Sequence, residues 1–147
     1  MLSTWIVSIW LLCLSVPDIR SRNVPVWLIG VGGVLALAVS IAENIPEYVA
    51  AREWWSYAGH VLCGMIPGIC LLLLSIVTKT IGYGDGAVLT LLGAAVGIRN
   101  SLLVLCIGLF FASLGSVALL VVKKVNRNTC LPFLPFLTVG WFLLMIK

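Results

Sequence analysis

The sequence predicts an all-α protein, a polytopic transmembrane bundle of about six helices, and two observations support this class. First, 62% of the 147 residues are hydrophobic and 10% are charged, with a mean hydropathy of +1.20. A soluble domain carries about 25% charged residues, and so short a chain has too much surface for its volume to hide this apolar area from water. Second, the apolar residues form stretches close to the length of about 20 residues that a helix needs to cross a membrane.

Six apolar segments follow one another and predict a single transmembrane domain over residues 1–147. Charged residues or glycines separate them, and the fourth is expected to extend backward through the glycines before Asp85. Small residues four positions apart, such as Gly64 and Gly68, predict close contacts between these helices. The predicted segments are 2–18, 24–42, 57–78, 86–98, 101–122 and 131–146.

Basic residues predict the orientation, because loops rich in Lys and Arg remain in the cytoplasm. The odd-numbered gaps hold most of them, so both termini are predicted outside. They form no run that could follow a nucleic-acid backbone, so the expected surrounding is the lipid bilayer and no nucleic-acid partner is predicted. The odd-numbered gaps contain Arg20, Arg22, Lys79, Lys123, Lys124 and Arg127, and the even-numbered gaps contain Arg52 and Arg99.

The five cysteines do not indicate a metal site. None lies in a CxxC pair, and zinc sites need close, patterned spacing. We interpret them as small buried hydrophobes, and we predict neither a metal nor a cofactor. The cysteines are Cys13, Cys63, Cys70, Cys106 and Cys130.

Asp18 and Asp85 are the two acidic residues outside the second gap, and both lie at predicted cytoplasmic helix ends. A carboxylate at membrane depth is costly and marks a functional site by default. Asp85 stands among three glycines in the stretch GYGDG, and glycine permits unusual backbone angles and close approach. We therefore expect a backbone shaped to present this carboxylate. The alternatives for either aspartate are a solvated loop residue, a helix cap or an ion-pair partner of Arg20 or Arg22.

Two carboxylates at one membrane face can hydrolyse a peptide bond together. An ionised Asp activates water and a protonated Asp polarises the carbonyl, and like charges held close share a proton. His60, the single histidine, is predicted toward the outer end of the third segment. It is too far from the aspartates to form a serine or cysteine triad with them, and we interpret it as structural.

Three stretches, in this order, resemble the type IV prepilin peptidases, a branch of the GxGD intramembrane aspartyl proteases. They are PDIRSRNVPVWL, GYGDGAVLTLLGAAVG and LPFLPFLTVG. The second is similar to the GxGD motif, and the third to a proline–phenylalanine stretch that opens the family's last helix. GxGD alone is a short pattern, but the three stretches together span nearly the whole chain.

The resemblance implies an aspartic endopeptidase with Asp18 and Asp85 as its catalytic pair. Its substrates and partners would be type IV or Flp-type prepilins or pseudopilins, whose leader peptide it removes at the cytoplasmic face of a bacterial or archaeal inner membrane. Larger members carry paired cysteines in an N-terminal extension associated with N-methylation. The sequence has no such pair, so we expect a peptidase without methyltransferase activity.

The resemblance also suggests supporting roles around the two aspartates. Gly82 and Gly84 would shape the loop, and Tyr83 would line the substrate channel. Pro132 and Pro135 would free backbone carbonyls or bend the entry of the last helix, or they would only start that helix, where proline is tolerated. Gly86 and Ala87 stand where the family often has a lysine, a departure that bears on substrate preference.

Two rival interpretations remain. The signal-peptide-peptidase and presenilin branch also uses GxGD, but it places a tyrosine before the first aspartate, where this chain has Pro17, and it has a Pro-Ala-Leu motif that is missing here. The other rival is a non-catalytic small membrane protein, either a pilin-binding pseudoenzyme or a proton-coupled carrier. A carrier would place ionisable residues near the bilayer midplane, whereas both aspartates are predicted toward one face.

Overall fold

The computed structural model describes residues 2–21, 24–50, 54–78, 82–121 and 132–146. Within these ranges the chain is helical and contains no strand, which confirms the predicted all-α class. Four helices are long and apolar enough to cross a membrane, and the last is a shorter apolar helix. The helices are α1 (Leu2–Ser21), α2 (Val26–Ala50), α3 (Trp54–Thr78), α4 (Tyr83–Val121) and α5 (Leu134–Met145).

Helix α4 consists of two arms joined by a sharp turn at Gly97. Gly97 has φ 82° and ψ 167°, a conformation open almost only to glycine. A Cβ built on Gly93 would lie 3.0 Å from Ser101 Oγ, although eight residues of straight helix would separate them by about 12 Å. The second arm (98–121) therefore turns back along the first arm (83–96). These arms correspond to the fourth and fifth predicted segments, with the turn at Gly97 and not at the predicted gap of 99–100.

Helix α3 packs along the first arm of α4 with backbone against backbone. A side chain at Gly64 would overlap the carbonyl oxygen of Gly93, and one at Gly68 would overlap the backbone of Thr90. Small residues allow two helices in a membrane to approach this closely. The contact predicted from the spacing of Gly64 and Gly68 is therefore present.

Helix α5 lies between α1 and the second arm of α4. A Cβ on Gly108 would lie 3.3 Å from Leu137 Cα, and one on Gly140 would lie 2.9 Å from Val104 O. Residue 104 of the second arm thus lies beside residue 140 of α5, and residue 108 lies beside residue 137. The second arm and α5 are therefore antiparallel. Helix α2 packs against α1 and α4, and the fully buried Leu11, Leu89, Val104 and Leu137 belong to the core between these helices.

The outside of the bundle is covered by large apolar side chains. Trp5 is 65% exposed, Val26 81% and Val77 80%. Extensive apolar surface is the mark of a protein that faces lipid. Of the basic residues that predict the orientation, Arg20 and Arg99 are described, and both are exposed. Arg22, Arg52, Lys79, Lys123, Lys124 and Arg127 lie outside the described residues.

The described cysteines do not lie in the core. Cys13, Cys63, Cys70 and Cys106 are all exposed, so the prediction that they are buried is wrong for these four. Their small, apolar character suits a surface that faces lipid, and Cys130 lies outside the described residues.

Candidate active site

Asp18 lies in the last turn of α1, and its carboxylate faces the beginning of α5. The residue is 7% exposed, and its Oδ2 accepts a hydrogen bond from the backbone N–H of Leu134 at 3.0 Å. Leu134 is the first residue of α5, and N–H groups in the first turn have no partner within their own helix. Asp18 is therefore a cap, as one of the alternatives from the sequence allowed, but the helix that it caps is α5.

Asp85 lies in the first turn of α4 and is half-buried. Its backbone N–H donates to Gly82 O at 3.2 Å. Its carboxylate lies above Gly82, with Oδ2 3.5 Å from the point that a Cβ of this glycine would occupy. No hydrogen-bond donor within the described ranges reaches this carboxylate. Among the described residues, both oxygens of Asp85 are thus without a hydrogen bond.

The two aspartates lie at the same end of the bundle, because α1 ends where the first arm of α4 begins. Helix α5 runs antiparallel to α1 and to the second arm of α4, and that arm turns back along the first arm, so α1 and the first arm are antiparallel. Two carboxyl groups that are held close can share a proton and titrate as a pair. The two residues that the sequence singles out, 67 positions apart in the chain, thus lie at the same end of the fold.

The glycines around Asp85 differ in what they do. Gly84 is helical, and a Cβ there would make an ordinary contact of 3.6 Å with Ile29 Cδ1. Gly97 is the one glycine of positive φ in the described part of the chain, so neither Gly82 nor Gly84 has a left-handed backbone. Gly86 instead provides the close approach, since a Cβ there would lie 2.7 Å from Leu72 Cγ and 2.9 Å from Leu72 N. A lysine at position 86 would therefore collide with Leu72 on α3.

The remaining predicted site residues border the same end of the bundle. Tyr83 is the first residue of α4 and is 58% exposed. Pro132 precedes α5, and Pro135 lies in its first turn, where proline costs no helical hydrogen bond. The placement of these prolines agrees with the alternative that they start the last helix.

Four polar residues along the α1–α5 interface that leads to Asp18 were missed at the sequence level. Ser8 and Ser15 lie on α1, Thr138 and Trp141 lie on α5, and all four are buried. A signal was present, because Ser8, Ser15 and Asp18 recur at intervals of seven and three positions, which places them on one face of a helix. The spacing along α1 does not show which other helix packs against that face.

The opposite end of the bundle holds a second polar region. The imidazole of His60 packs against Gly97 at the turn of α4, far from the two aspartates along the first arm. A cavity of about 130 Å³ beside it is lined by Ser40, Asn44, Tyr57, His60 and residues 94–96. Ser40 Oγ donates to Ala95 O at 2.6 Å and Asn44 Nδ2 to Ser40 O at 2.7 Å. Among the described residues, no three His, Cys, Asp or Glu side chains are grouped as metal ligands would be.

Fold and site together define a multi-pass helical membrane protein with a pair of aspartates at one end of its bundle. The profile of the type IV leader peptidase family matches residues 5–117, so the chain belongs to that family. The match includes Asp18 and Asp85 and confirms the resemblance to prepilin peptidases. Membership implies a peptidase with prepilin substrates in a membrane environment. The chain has no significant match to a curated protein or to a solved structure.

Proposed function

We propose that the protein is an intramembrane aspartic endopeptidase with Asp18 and Asp85 as its catalytic pair. It removes the cytoplasmic leader peptide from type IV or Flp-type prepilins or pseudopilins. The observation that carries this proposal is the position of both aspartates at the same end of the bundle, Asp18 in the last turn of α1 and Asp85 in the first turn of α4. Membership in the type IV leader peptidase family supports the substrate class.

Hydrolysis by such a pair divides the work between its two members. An ionised carboxylate takes a proton from water as the water oxygen attacks the scissile carbonyl carbon, while the protonated carboxyl donates a hydrogen bond to the carbonyl oxygen. The tetrahedral intermediate then collapses as a proton passes to the leaving nitrogen and the C–N bond breaks. Since Leu134 N–H occupies Oδ2 of Asp18, Oδ1 is the oxygen of Asp18 left for water or for Asp85.

Charge supports a cytoplasmic active site in a bacterial or archaeal inner membrane. Arg20 lies in the last turn of α1 beside Asp18, and the gaps at this end carry most of the basic residues, which favours the cytoplasmic side. A prepilin leader is a short basic segment that stays in the cytoplasm ahead of a hydrophobic helix, so it would meet this end of the bundle. The exposed Tyr83 and the entry of α5 at Pro132 and Pro135 are proposed to border its path.

Leader removal from a panel of type IV and Flp-type prepilins tests the proposal. The protein is co-expressed with each prepilin in a bacterium without its own prepilin peptidase, and cleavage is scored by gel shift and mass. The parent is expected to cleave at least one prepilin, whereas Asp18→Asn and Asp85→Asn cleave none at equal membrane abundance. The mass also shows whether the new pilin N-terminus is methylated, which is not expected.

Glu43→Gln is the matched control for the two aspartate variants. Glu43 is also a carboxylate that accepts backbone N–H groups, those of Leu2 and Ser3, but it lies on α2 at the end opposite Asp18. Cleavage is expected to persist in this variant. Cleavage that survives either aspartate substitution would contradict the catalytic pair. A prepilin that co-purifies uncut with the parent would favour the pilin-binding pseudoenzyme instead.

A further inference from the structure

Helices α1 and α5 are joined by three hydrogen bonds that follow one line along their interface. Trp141 Nε1 donates to Ser8 Oγ at 2.9 Å. Ser15 Oγ shares its single proton between Leu11 O at 3.1 Å, within α1, and Thr138 Oγ1 at 3.4 Å, on α5. The third bond runs from Leu134 N–H to Asp18 at 3.0 Å. We call the Ser8, Ser15, Thr138 and Trp141 side chains the α1–α5 seam.

The seam lies in an apolar interior, so its polar contacts have a large effect on the register of α5 against α1. Leu11, Leu14 and Leu137 around it are fully buried. Apolar side chains tolerate small shifts, whereas a buried hydroxyl or indole N–H without a partner is costly. Moving α5 by one residue would shift it by about 1.5 Å and rotate it by about 100°. All three hydrogen bonds would then break together.

Thr138 connects the seam to the first turn of α5. Its hydroxyl donates to Pro135 O at 2.6 Å and accepts the hydrogen bond from Ser15. Pro135 follows Leu134, so the hydroxyl of Thr138 ties α1 to the turn that carries the N–H bound by Asp18. The Ser15–Thr138 contact is thus the seam contact closest to the candidate catalytic carboxylate.

We propose that the α1–α5 seam is a positioning device, and that Ser15 and Thr138 hold the beginning of α5 in the register that orients the Asp18 carboxylate toward Asp85. This inference rests on the proposed peptidase function. The seam residues are positioning residues, because they reach Asp18 through α5 and contact neither the water nor the peptide. A misplacement of about 1 Å at a reacting group can lower a rate by about 100-fold.

Steady-state cleavage by Thr138→Val, Thr138→Ser and Ser15→Ala tests the proposal. Thr138→Val keeps the shape and removes the hydroxyl, and we expect kcat to fall by about 10-fold or more with KM within about 2-fold. Thr138→Ser keeps the hydroxyl and is expected to restore kcat. The double variant Ser15→Ala/Thr138→Val should lose no more than the worse single variant, because both changes remove the same contact.

Ser40→Ala is the matched control for a purely structural role. Ser40 is also a buried serine that donates a hydrogen bond between helices, to Ala95 O, but at the opposite end of the bundle. It should lower the melting temperature as much as Ser15→Ala and leave kcat unchanged. Parental kcat in Thr138→Val, or equal losses of kcat in Ser40→Ala and Ser15→Ala, would overturn the proposal.

Hydrogen exchange gives a second readout that does not depend on cleavage. Between Pro132 and Pro135 only Phe133 and Leu134 carry a backbone N–H, so a peptide covering this stretch reports on the amide bound by Asp18. Its exchange should be faster in Thr138→Val than in the parent, and unchanged in Ser40→Ala. Unchanged exchange in Thr138→Val would overturn the proposed positioning role of the seam, even if the parent proved inactive. Faster exchange in Thr138→Val together with a parent that cleaves no prepilin would contradict only the peptidase function.

Discussion

The carboxylate of Asp18 accepts the backbone N–H of Leu134 at 3.0 Å, although the two residues are 116 positions apart in the chain. One side chain in the last turn of α1 therefore caps α5 and also belongs to the candidate catalytic pair. Because the same group would serve both stability and the proposed chemistry, the choice of substitution has to separate the two roles.

Asp18→Ala should reduce stability more than Asp85→Ala. The alanine leaves a buried N–H of α5 without an acceptor, a loss of about 1–3 kcal/mol, whereas Asp85 accepts no hydrogen bond within the described residues. Asp18→Asn retains a carbonyl oxygen as acceptor and should lose less than Asp18→Ala. Unfolding of the detergent-solubilised variants by denaturant measures the free energies. Equal losses in Asp18→Ala and Asp85→Ala would show that the cap contributes nothing.

Substitution of Gly64 or Gly68 by alanine should destabilise the bundle by about 1–3 kcal/mol, because the added methyl group forces α3 away from the first arm of α4. Gly30 and Gly59 provide the controls. A Cβ at either would meet nothing within 4 Å, so alanine there should stabilise by about 0.5–1 kcal/mol through its better helix propensity. The same unfolding measurement compares the four variants. A neutral Gly64→Ala would mean that the two backbones are not in contact.

Gly97→Ala should be destabilising for two separable reasons. The backbone at φ 82° costs a residue with a side chain about 1–3 kcal/mol, and the new methyl group would overlap the imidazole of His60. Adding His60→Ala should relieve the overlap and leave the backbone cost, so the double variant should recover only part of the loss. His60→Ala alone should leave kcat for leader cleavage unchanged. A loss of cleavage in that variant would contradict the structural interpretation of His60.

Thiol labelling can test the orientation of the bundle. Thr78 and Ser56 are exposed residues at opposite ends of α3, so Thr78→Cys and Ser56→Cys, each in a background without the native cysteines, are a matched pair. A membrane-impermeant reagent should label position 56 in spheroplasts and position 78 in inverted vesicles. The reverse pattern would place the aspartates outside the cytoplasm.

The fold class and the number of helical segments could be predicted because they depend on composition and on the length of apolar stretches. The turn between the fourth and fifth segments was misplaced by two or three residues. Charge marks Arg99 as a loop residue, but the backbone reverses at Gly97, where glycine alone adopts the required angles. The residue at which the backbone turns and the charged residue that must reach water therefore need not be the same, even when they lie close together in the chain.

The candidate site could be predicted only in part. Asp18 and Asp85 stand out because carboxylates are rare in apolar segments, and no knowledge of packing is needed to notice them. The contact of Asp18 with Leu134 and the role of Gly86 depend on which helices become neighbours. Gly84 and Gly86 are alike in the stretch GYGDG, and only the position of Leu72 on α3 distinguishes them.

The short first arm of α4 would make membrane thickness a variable of the proposed reaction. At about 1.5 Å per residue, residues 83–96 rise about 21 Å, while the hydrocarbon core measures about 30 Å. If the Gly97 turn lies at the outer boundary, as the basic residues predict, Asp85 would lie inside the lipid. A peptide would then reach it only by entering the hydrocarbon or where the bilayer thins. Vesicles of short-chain lipids should bring the site nearer to bulk water and accelerate cleavage. The lipid composition of the host, as well as the sequence of the pilin, would then set the pace at which pilus subunits mature.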